Sequence, residues 1–139
     1  MKKLFLVGML LLMVVAGGIF AYGYFVVHKH DGPPPKPSLQ QLKAWQFELP
    51  QITANTAGGG VAQLTVVFQA GNAASLSLLK LAQTQLSSLL VSTLLTIPGK
   101  ELKTVQGEKI LEHVLLDKAK ALLPTSSLLS VEIPQMIVQ

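Results

Sequence analysis

The sequence predicts an α+β fold, in which one N-terminal transmembrane helix precedes a small domain with the element order ββααβ. Three observations predict this fold. The first is a run of 24 residues without a formal charge, at positions 4–27. The second is a pair of strand-like segments at positions 47–68, followed by two segments of helical periodicity up to position 123. The third is a strand-like segment at positions 128–138.

The composition excludes several classes of protein and of site. Of the 139 residues, 50% are hydrophobic and 13% are charged, whereas average chains carry about 25% charged residues. A disordered chain needs low hydrophobicity and high net charge, so this chain does not belong to that class. The sequence has no cysteine, which excludes disulfide scaffolds, thiolate nucleophiles and cysteine-ligated zinc. It also has no arginine, and therefore lacks the planar fork that binds carboxylates and phosphates.

The charges are unevenly distributed along the chain. Residues 1–43 contain five lysines and one acid, a net charge of +4, whereas residues 44–139 contain six lysines and six acids, a net charge of zero. A nucleic-acid-binding domain needs a basic face that neutralises phosphates. We therefore exclude nucleic acid as a partner of the domain.

Residues 4–27 form the predicted membrane anchor. A helix of 24 residues is about 36 Å long at roughly 1.5 Å per residue, enough to cross a hydrocarbon core of about 30 Å. The lysines of residues 1–3 place this short tail in the cytoplasm, so the domain lies across the membrane. A cleaved secretory signal is the alternative, because Ala16 and Gly18 form a small pair suited to a protease. The length of the apolar run favours the anchor, since a signal has about 7–15 apolar residues.

Residues 28–43 form the predicted linker between the anchor and the domain. Four prolines within positions 33–37 favour an extended, semi-rigid chain. At about 3.1 Å per residue, positions 33–43 would reach about 30 Å if they were all extended. A PxxP recognition motif is the alternative, since Pro34 and Pro37 have its spacing. We interpret the segment as a spacer that sets the height of the domain above the bilayer.

Two strand-like segments begin the predicted domain of residues 44–139. Residues 47–56 form the first, and Pro50 assigns it to a sheet edge or a bulge because proline donates no N–H. Three glycines at positions 58–60 form a turn. Apolar and polar residues then alternate over positions 62–69, the pattern of a strand with one buried face. The two segments together predict a β-hairpin.

The next segment predicts a helix that begins after Asn72 as its N-cap. Lys80 is its single charged residue, because no other charge lies between Asn72 and Lys100. The predicted apolar stripe consists of Leu76, Leu79, Gln83, Leu86, Leu89 or Leu90, and Thr93. The predicted outer face consists of Ser75, Ser77, Thr84, Gln85, Ser87, Ser88 and Ser92, with additional leucines at Leu78, Leu81 and Leu95.

Three interpretations of this uncharged helix are open. A second membrane span is disfavoured, because Lys80 and the polar side chains are costly at the middle of a bilayer. An ordinary amphipathic helix with a weakly polar outer face is the second interpretation. The third is a helix covered by a neighbouring subunit, since interface cores are poor in Lys and Glu. On the third interpretation, the candidate oligomer interface consists of Ser77, Leu78, Leu81 and Ser88.

A second predicted helix extends from its N-cap at Thr104 to Leu123, where Pro124 ends it. Residues 128–138 then predict a last strand, interrupted by Pro134. The predicted apolar stripe of the helix consists of Ile110, Leu111, Val114, Leu115, Ala119 and Leu122. Its predicted solvent-facing side consists of Glu108, Lys109, Glu112, Asp117, Lys118 and Lys120.

No constellation of residues in the sequence predicts catalysis. His28 and His30 lie at the predicted membrane edge, and His113 stands alone on the second helix. The serines of the first helix have no base at a suitable spacing. The glycines at positions 58–60 are not followed by the Lys-Ser/Thr of a phosphate loop. We therefore expect no enzyme activity, no small-molecule substrate, and a domain that folds without a metal or cofactor.

The second half of the sequence carries a recognisable pattern. Residues 102–111 contain Leu-x-Thr-x-x-Gly-x-x-x-Leu, and residues 131–139 read Val-Glu-Ile-Pro-Gln-Met-Ile-Val-Gln. This pattern resembles the flagellar basal-body-associated protein FliL family, whose closing strand ends in Phe-Val-x-Gln. Residues 52–68 also resemble the opening hairpin of that family. The matching residues of the first segment are Leu102, Thr104, Gly107 and Leu111.

The resemblance implies a non-enzymatic accessory protein of the flagellar motor that acts in motility and chemotaxis. It implies a periplasmic domain similar to the stomatin-type SPFH domain, anchored in the bacterial inner membrane. It also implies a homo-oligomeric ring around the stator units, the MotA/MotB-type ion channels, which supports stator engagement and torque. On this resemblance, we expect contacts with the stator or the membrane at Tyr22, Phe25, Pro34 and Pro35.

Two other functions remain open on the residues alone. One is an anchored periplasmic interaction module, or chaperone-like module, of another envelope complex. The other is a small membrane-tethered enzyme, for which the sequence offers no candidate residue. Co-purification with stator proteins would distinguish the motor protein from the first alternative. Complete loss of function on a single His or Asp substitution would indicate the second.

Overall fold

A computed structural model of the chain describes residues 36–139. Within these residues, no helix combines the length and the apolar character needed to cross a membrane. Several sequence predictions concern residues outside the described part. They are the anchor of residues 4–27, the histidines His28 and His30, and the candidate contacts Tyr22, Phe25, Pro34 and Pro35.

Helices and a single antiparallel sheet make up the described residues, which confirms the predicted α+β class. Pro37–Gln139 form one compact unit. The elements in chain order are α1 (Leu39–Ala44), β1 (Gln46–Glu48), β2 (Ile52–Asn55), β3 (Val61–Ala70), α2 (Ala73–Leu81), α3 (Gln83–Leu94), α4 (Gly99–Leu102), α5 (Val105–Leu122) and β4 (Leu128–Val138).

Strand β3 is the centre of the sheet, because it pairs along both of its edges. β4 runs antiparallel along one edge, from the pair Ala62–Val138 to the pair Ala70–Leu128. On the opposite edge, β2 pairs with the first half of β3 and β1 pairs with the second half. The other three strands are therefore held in the sheet by β3 alone.

The predicted first strand of residues 47–56 is two strands rather than one. Between the last β1 pair and the first β2 pair, three residues of this edge face two residues of β3. The chain therefore bulges around Pro50, where the fixed φ and the missing N–H of proline fit a bulge on an edge strand. The predicted location of Pro50 at an edge or a bulge is confirmed, and the interruption there divides the segment into β1 and β2.

β2 and β3 form the predicted hairpin. Its loop is closed by a hydrogen bond of 2.8 Å from the Thr56 N–H to the Gly60 carbonyl. Gly58 and Gly59 have φ angles of 84° and 96°, which residues with a Cβ rarely adopt. The glycine-rich sequence is thus required by the backbone of this turn.

β4 spans Leu128–Val138, as the sequence predicts. Its register shifts between Thr65 and Val67 of β3, so that Ile133 and Pro134 face a single β3 residue. The predicted interruption at Pro134 is therefore a β-bulge, a feature that edge strands tolerate.

Helix α1 lies within the segment predicted as linker. Ser38 and Gln41 form a capping box: Ser38 Oγ accepts the Gln41 N–H at 3.3 Å, and Gln41 Oε1 accepts the Ser38 N–H at 2.9 Å. Gln69 of β3 donates from Nε2 to the Leu42 carbonyl at 2.9 Å. The part of the predicted linker nearest the domain is thus a helix tied to the sheet.

The predicted first long helix is divided into α2 and α3. Asn72 caps α2 as predicted, since its Oδ1 accepts the Ser75 N–H at 2.8 Å. Ala82, with φ −90° and ψ 12°, separates the two helices. The short helix α4 follows Pro98, which acts as its N-cap residue with an extended backbone.

Helix α5 agrees with the second predicted helix to within one residue at its end. Leu111, Leu115 and Ala119 are fully buried, in agreement with the predicted stripe. Ile110 and Leu122, predicted to share that stripe, are 49% and 40% exposed. The buried stripe is narrower than predicted because the ridge formed by every fourth residue faces the core.

The core lies between one face of the sheet and the helices. Every second residue of β3 is buried, and the residues between them are partly or fully exposed. Burial of each large apolar side chain contributes roughly 1.5–3 kcal/mol. The buried residues of β3 and of helices α2 to α5 include Ala62, Leu64, Val66, Phe68, Ala70, Leu79, Leu86, Leu90, Leu94, Leu102, Leu111, Leu115 and Ala119.

The residues that carry the family resemblance form the joint between α4 and α5. Thr104 Oγ1 accepts the Gly107 N–H at 3.0 Å and donates to the Glu101 carbonyl at 2.8 Å. A Cβ atom on Gly107 would overlap the Glu101 carbonyl. Leu102 and Leu111 are fully buried on either side of the joint. Each of the four motif residues therefore has a structural role in this joint.

We expect Gly107→Ala to destabilise the domain by about 1–3 kcal/mol, although alanine gains about 1 kcal/mol over glycine in a helix. The overlap outweighs the gain, because the Glu101 carbonyl belongs to the backbone and cannot rotate away. Urea unfolding of the full chain in detergent, followed by circular dichroism, measures the change. Gln106→Ala at the exposed neighbouring position is the control and should stay within about 0.5 kcal/mol. A stability gain in Gly107→Ala would contradict the close contact of α4 with α5.

Candidate functional site

The candidate oligomer interface lies on the exposed sides of α2 and α3. Leu81 is 81% exposed, the largest apolar exposure in these two helices. Ser77 and Ser88 are also exposed, whereas Leu78 is half-buried. Three of the four residues predicted for the interface are thus accessible to a partner, and Leu78 is partly packed against its own domain.

The buried stripe of α2 and α3 passes through Ala82 rather than through Gln83. Gln83, which the sequence analysis assigned to the apolar stripe, is exposed. The buried positions Leu79, Ala82 and Leu86 are three and four residues apart, the spacing of one continuous helical face, so Gln83 lies beside the buried stripe. Leu86, Leu90 and Thr93 are buried, in agreement with the remainder of the predicted stripe.

Ser75 is also assigned wrongly by the sequence analysis, which places it on the outer face. It is 2% exposed, and its Oγ accepts the Ser127 N–H at 2.7 Å. This bond ties the start of α2 to the segment that leads into β4. The partner is 52 residues away along the chain, so helical periodicity cannot distinguish Ser75 from the exposed serines.

Lys80 is the one charged residue on the exposed sides of α2 and α3. Helix α5 differs, since it exposes Lys109, Asp117 and Lys120. Solvent-facing helices normally mix both signs of charge, whereas interface cores are depleted in charge. We define the α2–α3 surface as Ser77, Lys80, Leu81, Thr84, Gln85, Ser88, Ser92 and Leu95.

The sheet face turned away from helices α2 to α5 is a second surface, and it is open except near Gln69, which bonds the Leu42 carbonyl of α1. The sequence predictions do not include this surface. The sequence indicates this surface through the polar residues that alternate with the buried residues of β3, at Gln63, Thr65 and Gln69. Strand pairing adds the neighbouring residues of β1, β2 and β4. We define the open sheet face as Gln46, Glu48, Thr53, Asn55, Gln63, Thr65, Val67, Gln69, Ser130, Glu132, Gln135 and Ile137.

The open sheet face has two charges, both negative. Glu48 of β1 and Glu132 of β4 pair with Val67 from opposite edges, so they lie in one row across the sheet. Strands are spaced about 4.8 Å apart, which places the two Cα atoms about 10 Å from each other. Amides and hydroxyls make up most of the rest of the face, and such groups can donate and accept hydrogen bonds.

A groove between α5 and the outer edge of β4 is divided by a carboxylate. Glu112 Oε1 accepts the Ile133 N–H at 3.2 Å, and Glu112 Oε2 accepts from Lys109 Nζ at 2.7 Å. The hydrogen bond to Glu112 raises the pKa of Lys109. The two parts of the groove have volumes of about 420 and 330 Å³, and the exposed His113 lines the smaller part. Among residues 36–139, no three or more His, Cys, Asp or Glu form a group that could hold a metal ion.

No protein-family model matches the chain, and no curated protein matches it. The interpretation of the α2–α3 surface and the open sheet face therefore depends on the residues that form them.

We expect Ser75→Ala to destabilise the domain by about 0.5–1.5 kcal/mol, because the Ser127 N–H loses its hydrogen bond to the buried Ser75 Oγ. Ser77→Ala, in the same helix but exposed, should change the stability by less than about 0.5 kcal/mol. Urea unfolding of both variants of the full chain in detergent provides the comparison. Equal effects of the two substitutions would show that the bond between Ser75 and Ser127 does not stabilise the fold.

Proposed function

We propose that this protein is a non-enzymatic, membrane-anchored accessory protein of the flagellar motor. In this proposal it forms a homo-oligomeric ring around stator units and supports stator engagement and torque. The observation that supports assembly most strongly is the α2–α3 surface, where Leu81 is 81% exposed beside a single charge. The resemblance of residues 102–111 and 131–139 to the FliL family supplies the connection with the motor.

The energetic argument for assembly concerns Leu81. Removing a leucine side chain from water stabilises an assembly by about 1.5–3 kcal/mol. A lone subunit lacks this stabilisation, because its Leu81 stays in water. The neighbouring residues Ser77, Thr84 and Ser88 are uncharged, so Lys80 is the one ion of this surface that assembly would desolvate. A contact between subunits at this surface is therefore favourable without a rearrangement of the domain.

The proposed arrangement places the chain in the bacterial inner membrane. Residues 1–3 lie in the cytoplasm, residues 4–27 cross the membrane, and the domain is periplasmic with an SPFH-like fold. In this proposal the proline-rich segment is a spacer between the membrane span and the domain. Gln69 of β3 donates a hydrogen bond from Nε2 to the Leu42 carbonyl, and this bond fixes α1 to the sheet.

An anchored interaction module of another envelope complex is the second candidate. The open sheet face favours it, because this face is a second uncovered surface that a client or partner could occupy. The two candidates differ in the proteins that accompany the chain in the membrane.

We expect Leu81→Glu to weaken self-association of the full-length protein in detergent while leaving the subunit folded. The side chain is exposed in the single subunit, but the new carboxylate would be buried without a partner in the assembly. Light scattering coupled to size exclusion measures the assembly, and circular dichroism measures the fold. Ile110→Glu, at an exposed apolar position on α5, is the matched control and should assemble like the parent.

We expect the full-length protein to co-purify with MotA/MotB-type stator proteins from solubilised membranes of its native host. Its removal should reduce swimming in viscous medium more than swimming in dilute medium, because the proposed role is the support of stators under load. Recovery of a different envelope complex, with unchanged motility in both media, would favour the second candidate function. The same purification from cells producing Leu81→Glu would report whether stator association depends on the assembly.

A further inference from the structure

The two uncovered surfaces of the domain face in opposite directions. The buried residues of α2 and α3, such as Leu79 and Leu86, belong to the core that also contains the buried face of β3. The α2–α3 surface is on the far side of these helices, and the open sheet face is on the far side of the sheet. One domain can therefore contact one neighbour through its helices and another neighbour through its sheet.

The charges of the two surfaces are complementary. The α2–α3 surface has one cation, Lys80, and the open sheet face has two anions, Glu48 and Glu132. The other residues of both surfaces are mainly serines, threonines and glutamines with a few apolar side chains. Such groups can form hydrogen bonds across a contact, and Lys80 can pair with one of the two glutamates.

Contacts between like surfaces lack this complementarity. Two α2–α3 surfaces in contact would bring together two copies of Lys80, and two open sheet faces would bring together four carboxylates. Like charges that face each other in an interface cost several kcal/mol. The contact between unlike surfaces is the one that leaves no ion opposite an ion of its own sign.

Other charged groups near the row of carboxylates affect the two glutamates unequally. Lys109 of the same chain lies near the outer edge of β4, and Glu132 is among the carboxylates that raise the pKa of Lys109. Glu48 lies on the opposite edge of the sheet, across Val67 from Glu132. Glu48 is therefore the more available partner for a lysine from another subunit.

We propose that the α2–α3 surface of one subunit packs on the open sheet face of the next, with Lys80 beside Glu48. The partner is a second copy of this chain, and the inference rests on the proposed self-assembly. The contact covers the second face of the sheet with helices from the neighbour. A contact between unlike surfaces repeats from subunit to subunit, and it closes into a ring when the rotation per subunit divides a full turn.

Charge reversal in the full-length protein tests the pairing. We expect Lys80→Glu and Glu48→Lys each to weaken self-association in detergent at least tenfold, measured by light scattering coupled to size exclusion. The double variant Lys80→Glu with Glu48→Lys should recover most of the assembly, because the pair is restored with its signs exchanged. Lys120→Glu on the exposed side of α5 is the control and should assemble like the parent. Circular dichroism reports whether each variant is folded.

Cross-linking provides a second measurement that does not depend on the strength of the pair. The chain contains no cysteine, so single cysteines can be introduced without background. Two differently tagged copies, one with Lys80→Cys and the other with Glu48→Cys, are co-produced and treated with a short bismaleimide. We expect cross-links between the two kinds of copy, and few between two copies of the same kind.

The outcomes separate this inference from the proposed function. If Leu81→Glu disrupts the assembly and neither charge reversal affects it, the inference is wrong and the proposed oligomer is retained. Failure of the double variant to recover, together with cross-links mainly between like copies, also overturns it. A parent protein that remains a single subunit in detergent and in membranes overturns both proposals.

Discussion

Strand β3 makes hydrogen bonds along both edges and buries one of its two faces, and every other element is placed by these contacts. β1 and β2 are aligned on one edge, β4 on the other, and Gln69 holds α1 at the end of the strand. The helices cover its buried face through residues such as Leu64 and Phe68. A slip of one residue in β3 would exchange its two faces and expose the core. Every buried position of β3 is apolar, and Val61 and Val67 are the apolar exceptions on its other face, so the alternation in its sequence disfavours this slip.

The joint between α4 and α5 determines where the longest helix lies. Thr104 bonds to the backbone on both sides of the joint, and Gly107 allows the Glu101 carbonyl to come close. These contacts set the direction in which α5 runs past β4, where Glu112 meets the Ile133 N–H. The motif of residues 102–111, which resembles the FliL family, therefore has a local structural role, which is to orient α5. It positions α5 and contributes no chemical group to the α2–α3 surface.

Much of the fold can be predicted from local patterns. The alternation in β3, the caps Asn72 and Thr104, and the bounds of β4 are all encoded within a few neighbouring residues. The errors arise where distant parts of the chain meet. Ser75 is buried by a partner that only the folded chain brings near. The helix break at Ala82 has no glycine or proline to mark it, and the helical spacing from Leu79 allows either Ala82 or Gln83 to continue the buried stripe.

Of the two exposed surfaces, the sequence predicts the α2–α3 surface and not the open sheet face. The scarcity of charge on the first helix is visible in the sequence, and Leu81 is the residue that the structure leaves most open there. The open sheet face can be recognised only when the strand register is known. Glu48 and Glu132 are 84 positions apart in the sequence, and they lie in one row because both pair with Val67. Pairing between distant strands is not encoded in either segment alone.

The edges of the sheet have a consequence for the solubility of the protein. Exposed strand edges present unpaired backbone groups that recruit further strands and lead to fibrous aggregates. Here Pro50 interrupts one edge, while Pro134 and the capped Ile133 N–H interrupt the other. Chains confined to a membrane surface meet at high local concentration, where such aggregation would be fastest. In the membrane-anchored state that we propose, both interruptions would disfavour growth by strand addition, and they leave the faces of the domain unchanged.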